Sequence, residues 1–160
     1  MVLLKTILFT FIGPGTMTIL VPYWLLSSRS APPRLPLGMF RNLGALPILI
    51  GLAIYLWCAW DFTFAGRGTP APIDPPKELV VRGLYRYVRN PMYLGILSIL
   101  LGEAFLFASQ RLFEYAAAAF ISFFLFVVLY EEPVLRQKFG EPYRQYCRNV
   151  SRWIPWRNKQ

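Results

Sequence analysis

The chain has 160 residues, 56% of them hydrophobic, with 17 Lys and Arg against 8 Asp and Glu, no histidine and two cysteines, and its mean hydropathy is +0.41. Such a composition is too apolar for an ordinary soluble domain of this length and points to a multi-pass membrane protein. The missing histidine removes the commonest proton shuttle and the commonest nitrogen metal ligand. Cys58 in an apolar run and Cys147 in a basic tail suggest free thiols rather than a disulfide framework or a zinc site.

The first hydrophobic stretch, Thr6 to Ser28, has 23 uncharged residues. It is too long for a signal-peptide core and has no small-residue cleavage site, so it reads as a retained membrane segment. Gly13-Pro14-Gly15 should kink or split it, because proline removes a backbone donor. The second stretch, Leu43 to Trp60, has 18 uncharged residues, close to the roughly 20 that a bilayer core requires. A glycine loop, Gly66-Arg67-Gly68-Thr69, and a proline-stiffened connector to Pro76 follow; glycines permit close backbone approach to a bound molecule.

The third stretch is announced by "GLYRYVRNPMYLGILSILLG", in which a basic, tyrosine-rich string turns apolar at Pro91, a favourable first helical residue. It runs to about Ser109 and contains Glu103, a carboxylate that costs several kcal/mol inside a membrane helix unless paired or in a polar cavity; a pairing on a neighbouring helix and a substrate headgroup contact both stay open. The fourth stretch, Tyr115 to Tyr130, contains Ala116 to Ala119, small residues that allow close helix approach within the hairpin or between subunits. The tail predicts a helix ending at Gly140 and another from Pro142, with Tyr143, Tyr146 and Val150 on one side and Arg144 and Arg148 on another. Trp153, Ile154, Pro155 and Trp156 look like an interfacial anchor.

The expected fold is all-α: one integral membrane domain over 1–160 with about four transmembrane helices, an N-terminal helical pair (1–61), a helical-hairpin core (62–156) and a cytoplasmic helical tail. With four crossings, one side holds Arg29, Arg34, Arg41 and Arg111, leaving thirteen of the 17 basic residues on the other. The asymmetry places both termini and the 66–90 loop in the cytoplasm and assigns the positive charge to topology and anionic lipid rather than nucleic acid.

A short turn near Gln110 and Arg111 makes the third and fourth stretches an antiparallel hairpin. Asn90 lies 20 residues before Gln110 and Glu131 lies 20 after Arg111, so "RNPMY" and "YEEP" should meet at one depth. Adjacent residues on a helix point about 100° apart, so Glu131 and Glu132 cannot both face solvent readily. One needs a partner: an arginine, Arg86 or Arg89, or a cationic or hydroxyl-rich ligand, with one carboxylate serving each purpose as a third possibility.

"LYRYVRNPMYLG" followed by "YEEPVLRQKFGEPYRQYCRNVSRWIP" resembles the membrane methyltransferase superfamily of isoprenylcysteine carboxyl methyltransferases and phospholipid N-methyltransferases, with "GRGTPAP" in the place of a GxG motif. The resemblance covers about residues 62 to 156. It implies a methyltransferase using S-adenosyl-L-methionine, with Gly66, Gly68, Asn90, Tyr93, Glu131 and Glu132 around the donor and no metal. Many members have histidine where this chain has Asn90, so an imidazole role does not carry over. Glu131 or Glu132 would hold the donor's ammonium or diol, Arg89 or Arg144 its carboxylate, and Tyr87, Tyr93 or Tyr143 its faces. The acceptor would be a lipid or amphiphilic small molecule methylated on a carboxylate or an amine. A sterol-type membrane reductase using NADPH and a non-catalytic membrane scaffold are the alternatives.

Overall fold

A computed structural model of the chain describes residues 2–28, 35–64 and 78–155, and these are helical almost throughout, with no strand among them beyond one isolated backbone bridge. Three helical rods are long and apolar enough to cross a membrane: Leu4–Ser27, Gly38–Phe64 and Gln110–Phe139. A fourth apolar helix, Pro91–Leu106, has 16 residues, about 24 Å at 1.5 Å per residue, short of the roughly 30 Å hydrocarbon core. Half of its residues are buried against its neighbours, while Leu101 and Phe105 stay exposed.

The first rod consists of α1 (Val2–Ile12), a π turn (Thr16–Leu20) and α2 (Val21–Ser27). Helical hydrogen bonding continues through the Gly13-Pro14-Gly15 interruption, from Gly13 N–H to the Phe9 carbonyl at 2.8 Å and from Met17 N–H to the Gly13 carbonyl at 3.1 Å. The proline that reshapes the rod is Pro22. Val21 N–H reaches back five residues to the Thr16 carbonyl, and Pro22 has no N–H to give Met17. The Tyr115 hydroxyl donates to the Met17 carbonyl instead, at 3.1 Å.

The third rod repeats the device. After α5 (Gln110–Phe126) comes a π turn, Val127–Glu131, and then α6 (Glu132–Phe139). Glu132 N–H bonds to the Val127 carbonyl, and Pro133 follows. A π turn carries more residues per turn than an α-helix and is frequent at functional sites.

α3 (Ala45–Phe64) and α4 (Pro91–Leu106) are joined along a seam of glycines. Gly44 meets Gly102 and, seven residues on, Gly51 meets Gly95. A Cβ on Gly102 would stand 2.6 Å from the Gly44 carbonyl oxygen, and one on Gly95 2.9 Å from that of Gly51. Small residues let two membrane helices touch along their backbones, and Ser98 Oγ adds a hydrogen bond to the Pro47 carbonyl at 2.8 Å. α5 turns back after Phe107–Ser109, where Ala108 takes φ +49°. The antiparallel hairpin expected from spacing is therefore present, and Ala116 and Ala119 pack inside it, against the cluster of Tyr55, Ile96 and Leu100.

α1 is stitched to α3 by hydroxyls: Thr10 to Tyr55 at 2.9 Å and Thr63 to Thr6 at 3.2 Å. The outward faces of the rods leave Phe11, Trp24, Leu49, Trp57 and Leu129 exposed, as lipid-facing surfaces require. α7 (Glu141–Asn149) buries Tyr143 and Tyr146, which with Val150 form a second small core. Gly140, with φ +59°, ends α6 and lets the chain turn into α7.

Candidate active site

The site forms where the start of α4, the second π turn and the tail converge. A 3₁₀ turn, Gly83–Arg86, leads into Asn90 and α4. Gly83 has φ +55°, and a Cβ there would collide with the Asp61 carboxylate at the end of α3. Asp61 is buried and pairs with Arg82 at 3.1 Å, so the end of α3 grips the turn. Beyond the turn the backbone pairs with the tail: Val88 bridges Ser151, and Arg89 N–H donates to the Ser151 carbonyl at 2.9 Å. Asn90 Nδ2 donates to the Arg152 carbonyl at 3.1 Å. The Tyr146 hydroxyl donates to the Tyr85 carbonyl at 2.7 Å, fixing α7 to the same turn.

The two adjacent carboxylates divide their work. Glu132, 4% exposed, accepts from Arg152 Nε at 2.7 Å and Nη2 at 3.0 Å, from Arg89 Nη1 at 2.9 Å and more loosely from Arg136 at 3.5 Å. Such a forked, charge-assisted arrangement saturates its oxygens. Glu131 pairs with no arginine among the described residues; its Oε2 accepts from the Tyr93 hydroxyl at 2.9 Å. Of the partners expected from sequence, Arg89 is found on Glu132, and Glu131 faces a cavity.

Two cavities share a wall made of Phe62, Tyr85, Arg89, Asn90, Tyr93 and Glu131. The first, about 100 Å³, is otherwise lined from the second π turn, α6 and the tail, including Tyr130, Glu132, Tyr143 and Tyr146. The second, about 130 Å³, is lined by Phe9, Gly13, Pro14 and Met17 of the first rod with Met92, Ile96 and Phe123. Burial pushes the Tyr85, Tyr143 and Tyr146 hydroxyls above the ordinary phenol range, so they stay protonated. The hydrogen bonds to Glu132 hold the Arg152 guanidinium above its usual value.

Of the residues singled out from sequence, Arg89, Asn90, Tyr93, Glu131, Glu132 and Tyr143 come together around the first cavity. Tyr87 is exposed and stands outside it. Arg144 lies on the outer face of α7, within 3.7 Å of Glu141, because the helix turns Tyr143 and Tyr146 inward. Gly66 and Gly68 lie outside the described residues. Glu103 is near the opposite end of α4, with a buried Oε2 that has no hydrogen-bond partner, and lines neither cavity. Trp153, expected as an interfacial anchor, stands against Tyr93 and Phe120 with ring centroids 6.4 and 5.6 Å away.

Sequence reasoning missed Arg152, Tyr85, Tyr130 and Phe62. Tyr130 is the residue next to Glu131, and Phe62 lies two residues past Trp60, the expected end of the second stretch. Arg152 carried no signal, since only the backbone bridge at Ser151 brings it in.

The chemistry of this niche fits an adenosyl sulfonium. It offers one carboxylate paired with no arginine among the described residues, aromatic walls, and a buried N–H donor without a partner among those residues, Arg89 Nε. A buried donor left unpaired costs about 1–3 kcal/mol, which a carboxylate from a bound molecule would relieve.

The phospholipid methyltransferase family matches residues 40–142, well over half of the chain, and the chain belongs to that family. Methanethiol S-methyltransferase 1 of Bradyrhizobium diazoefficiens is 40% identical over 75 residues, 46% of this chain and 25% of that protein. Methanethiol S-methyltransferase of Mycobacterium tuberculosis is 36% identical over 73 residues, 46% of this chain and 29% of its own length. Protein-S-isoprenylcysteine O-methyltransferase A of Arabidopsis thaliana is 32% identical over 80 residues, 50% of this chain and 41% of its own. The chain thus matches well under half the length of these curated relatives. No solved structure matches it significantly.

Proposed function

We propose that the protein is an S-adenosylmethionine-dependent methyltransferase of the membrane, and that its acceptor is a thiol. The observation that carries the reading is Glu131: a carboxylate on the wall between two cavities, oriented by Tyr93 and paired with no arginine among the described residues, beside a Glu132 claimed by three.

Bound in the first cavity, the donor supplies a methyl group on a positively charged sulfur. Glu131 places negative charge against that end of the molecule, and the rings of Tyr85, Tyr93 and Tyr130 supply cation-attracting faces and exclude water. Arg89 Nε is the donor for its carboxylate. The 100 Å³ takes part of such a molecule, and Gly66 and Gly68 stay proposed donor-binding residues. On the acceptor side, Glu131 receives the thiol proton, which leaves sulfur as the nucleophile; two of the relatives are named for S-methylation. The basic-residue asymmetry supports cytoplasmic termini and entry of the water-soluble donor from that side.

The test is transfer of a labelled methyl group from S-adenosylmethionine to short thiols by the detergent-purified chain, with NADPH-dependent reduction assayed in parallel. Label in a volatile thioether supports the reading. Folded protein that transfers no label to thiols, carboxylates or amines refutes it.

A further inference from the structure

The second cavity has a different character from the first. Its shared wall carries all of its ionisable groups, and the remainder is Phe9, Gly13, Pro14, Met17, Met92, Ile96 and Phe123. On α4, Ile96 lies about one turn deeper than Met92, and Phe123 lies two turns before Glu131 on the third rod, so the cavity extends from the Tyr93–Glu131 pair away from the tail. Its 130 Å³ is about the size of a dry cavity that holds one benzene-sized molecule.

We infer that this cavity is the acceptor chamber and that it takes a compact, uncharged, apolar thiol of about six heavy atoms, rather than a headgroup or a long chain. The inference rests on the methyltransferase reading for the direction in which the thiol faces. A phosphate or ammonium group at the end of the cavity away from the shared wall would be stripped of water against Met17, Met92, Ile96 and Phe123, which is costly. A long chain exceeds the cavity's 130 Å³. The thiol sulfur, in contrast, reaches the shared wall, where Glu131 and Tyr93 separate it from the donor niche.

The first rod sets the chamber's size. Gly13 has no side chain, and a Cβ there would meet the Phe9 ring at 3.5 Å, an ordinary contact; Met17 sits in the π turn and is half-buried. Neither residue lines the first cavity. Phe9 forms another part of the wall, and its removal enlarges the space without altering the donor niche.

The test is calorimetric titration of the detergent-purified chain with ethanethiol, butanethiol, octanethiol and dodecanethiol, and separately with S-adenosylmethionine. Partition of thiols into the micelle is common to all variants, so differences between variants report the chamber. The wild-type chain should bind butanethiol saturably and dodecanethiol at least about tenfold more weakly. Met17→Trp should weaken butanethiol binding about tenfold or more while leaving donor affinity within about twofold. Phe9→Ala should move the preference toward octanethiol, a gain that misfolding cannot produce. Equal affinity along the whole series, or a Met17→Trp loss shared equally by thiol and donor, overturns the chamber. Thiol binding with no donor binding sinks the methyltransferase reading instead, and donor binding with no thiol binding sinks the chamber alone.

Discussion

The Tyr93 hydroxyl donates to Glu131 Oε2 at 2.9 Å across 38 residues of chain, tying the first turn of α4 to the π turn within the third rod. The neighbouring carboxylate faces the tail and belongs to arginines. This division makes opposite demands on two adjacent glutamates. Glu132→Gln should strip Arg89 and Arg152 of their shared counter-charge. The loss is about 2–4 kcal/mol after allowing for the partial exposure of Arg152, read as a large fall of the thermal midpoint in detergent. Glu131→Gln should leave that midpoint nearly unchanged.

Tyr146→Phe removes the 2.7 Å hydrogen bond to the Tyr85 carbonyl and leaves a buried carbonyl short of its donor. A cost of about 1–2 kcal/mol is expected, with weaker donor binding because α7 carries Tyr143 into the same cavity. Thermal unfolding and a donor titration measure both. A lowered midpoint with donor affinity unchanged would separate α7 from the site.

Gly83→Ala is predicted to damage the site from outside it. The φ of +55° disfavours any side chain, and a methyl group there would run into the Asp61 carboxylate, so the 3₁₀ turn that presents Tyr85 and leads to Arg89 must shift. Weaker donor binding with retained membrane insertion is the expected result. Gly38→Ala is the comparison, since Gly38 shares the positive φ but has nothing within 4 Å of a Cβ; equal effects from both would mean that only backbone strain matters.

The glycine seam makes a stability prediction. Gly51→Val on α3 places a branched side chain against the Gly95 carbonyl and Ile99, and overpacking of this kind costs about 1–3 kcal/mol or more. Ala117→Leu, on an exposed face of α5, should be neutral. Thermal midpoints of the two variants in one detergent decide it.

How far the sequence leads depends on which physical rule places a residue. Asn90 and Glu131 could be matched in depth because helical rise is constant and the Gln110 turn is short, so residues equidistant from it meet. The tail obeys no such rule. Arg152 reaches Glu132 through a parallel bridge between Val88 and Ser151, a pairing without any periodic signature. The i, i+7 spacing of Gly44 with Gly51 and of Gly95 with Gly102 is visible in the sequence, yet its meaning depends on the antiparallel register of α3 and α4. The prolines were legible as perturbations, but the position of the first widened turn follows from Pro22 and Tyr115 rather than from Pro14.

The account's central claim is that a sulfonium donor sits against Glu131 in the niche between Tyr93 and the tail. Calorimetric titration of S-adenosylmethionine into wild-type protein and Glu131→Gln, both shown to be folded, tests it most directly. The prediction is saturable binding by the wild type and affinity about 10- to 100-fold lower in the variant, the scale of a hydrogen bond or ion pair to a charged group. No binding by folded wild-type protein, or equal affinity in the two, would contradict it.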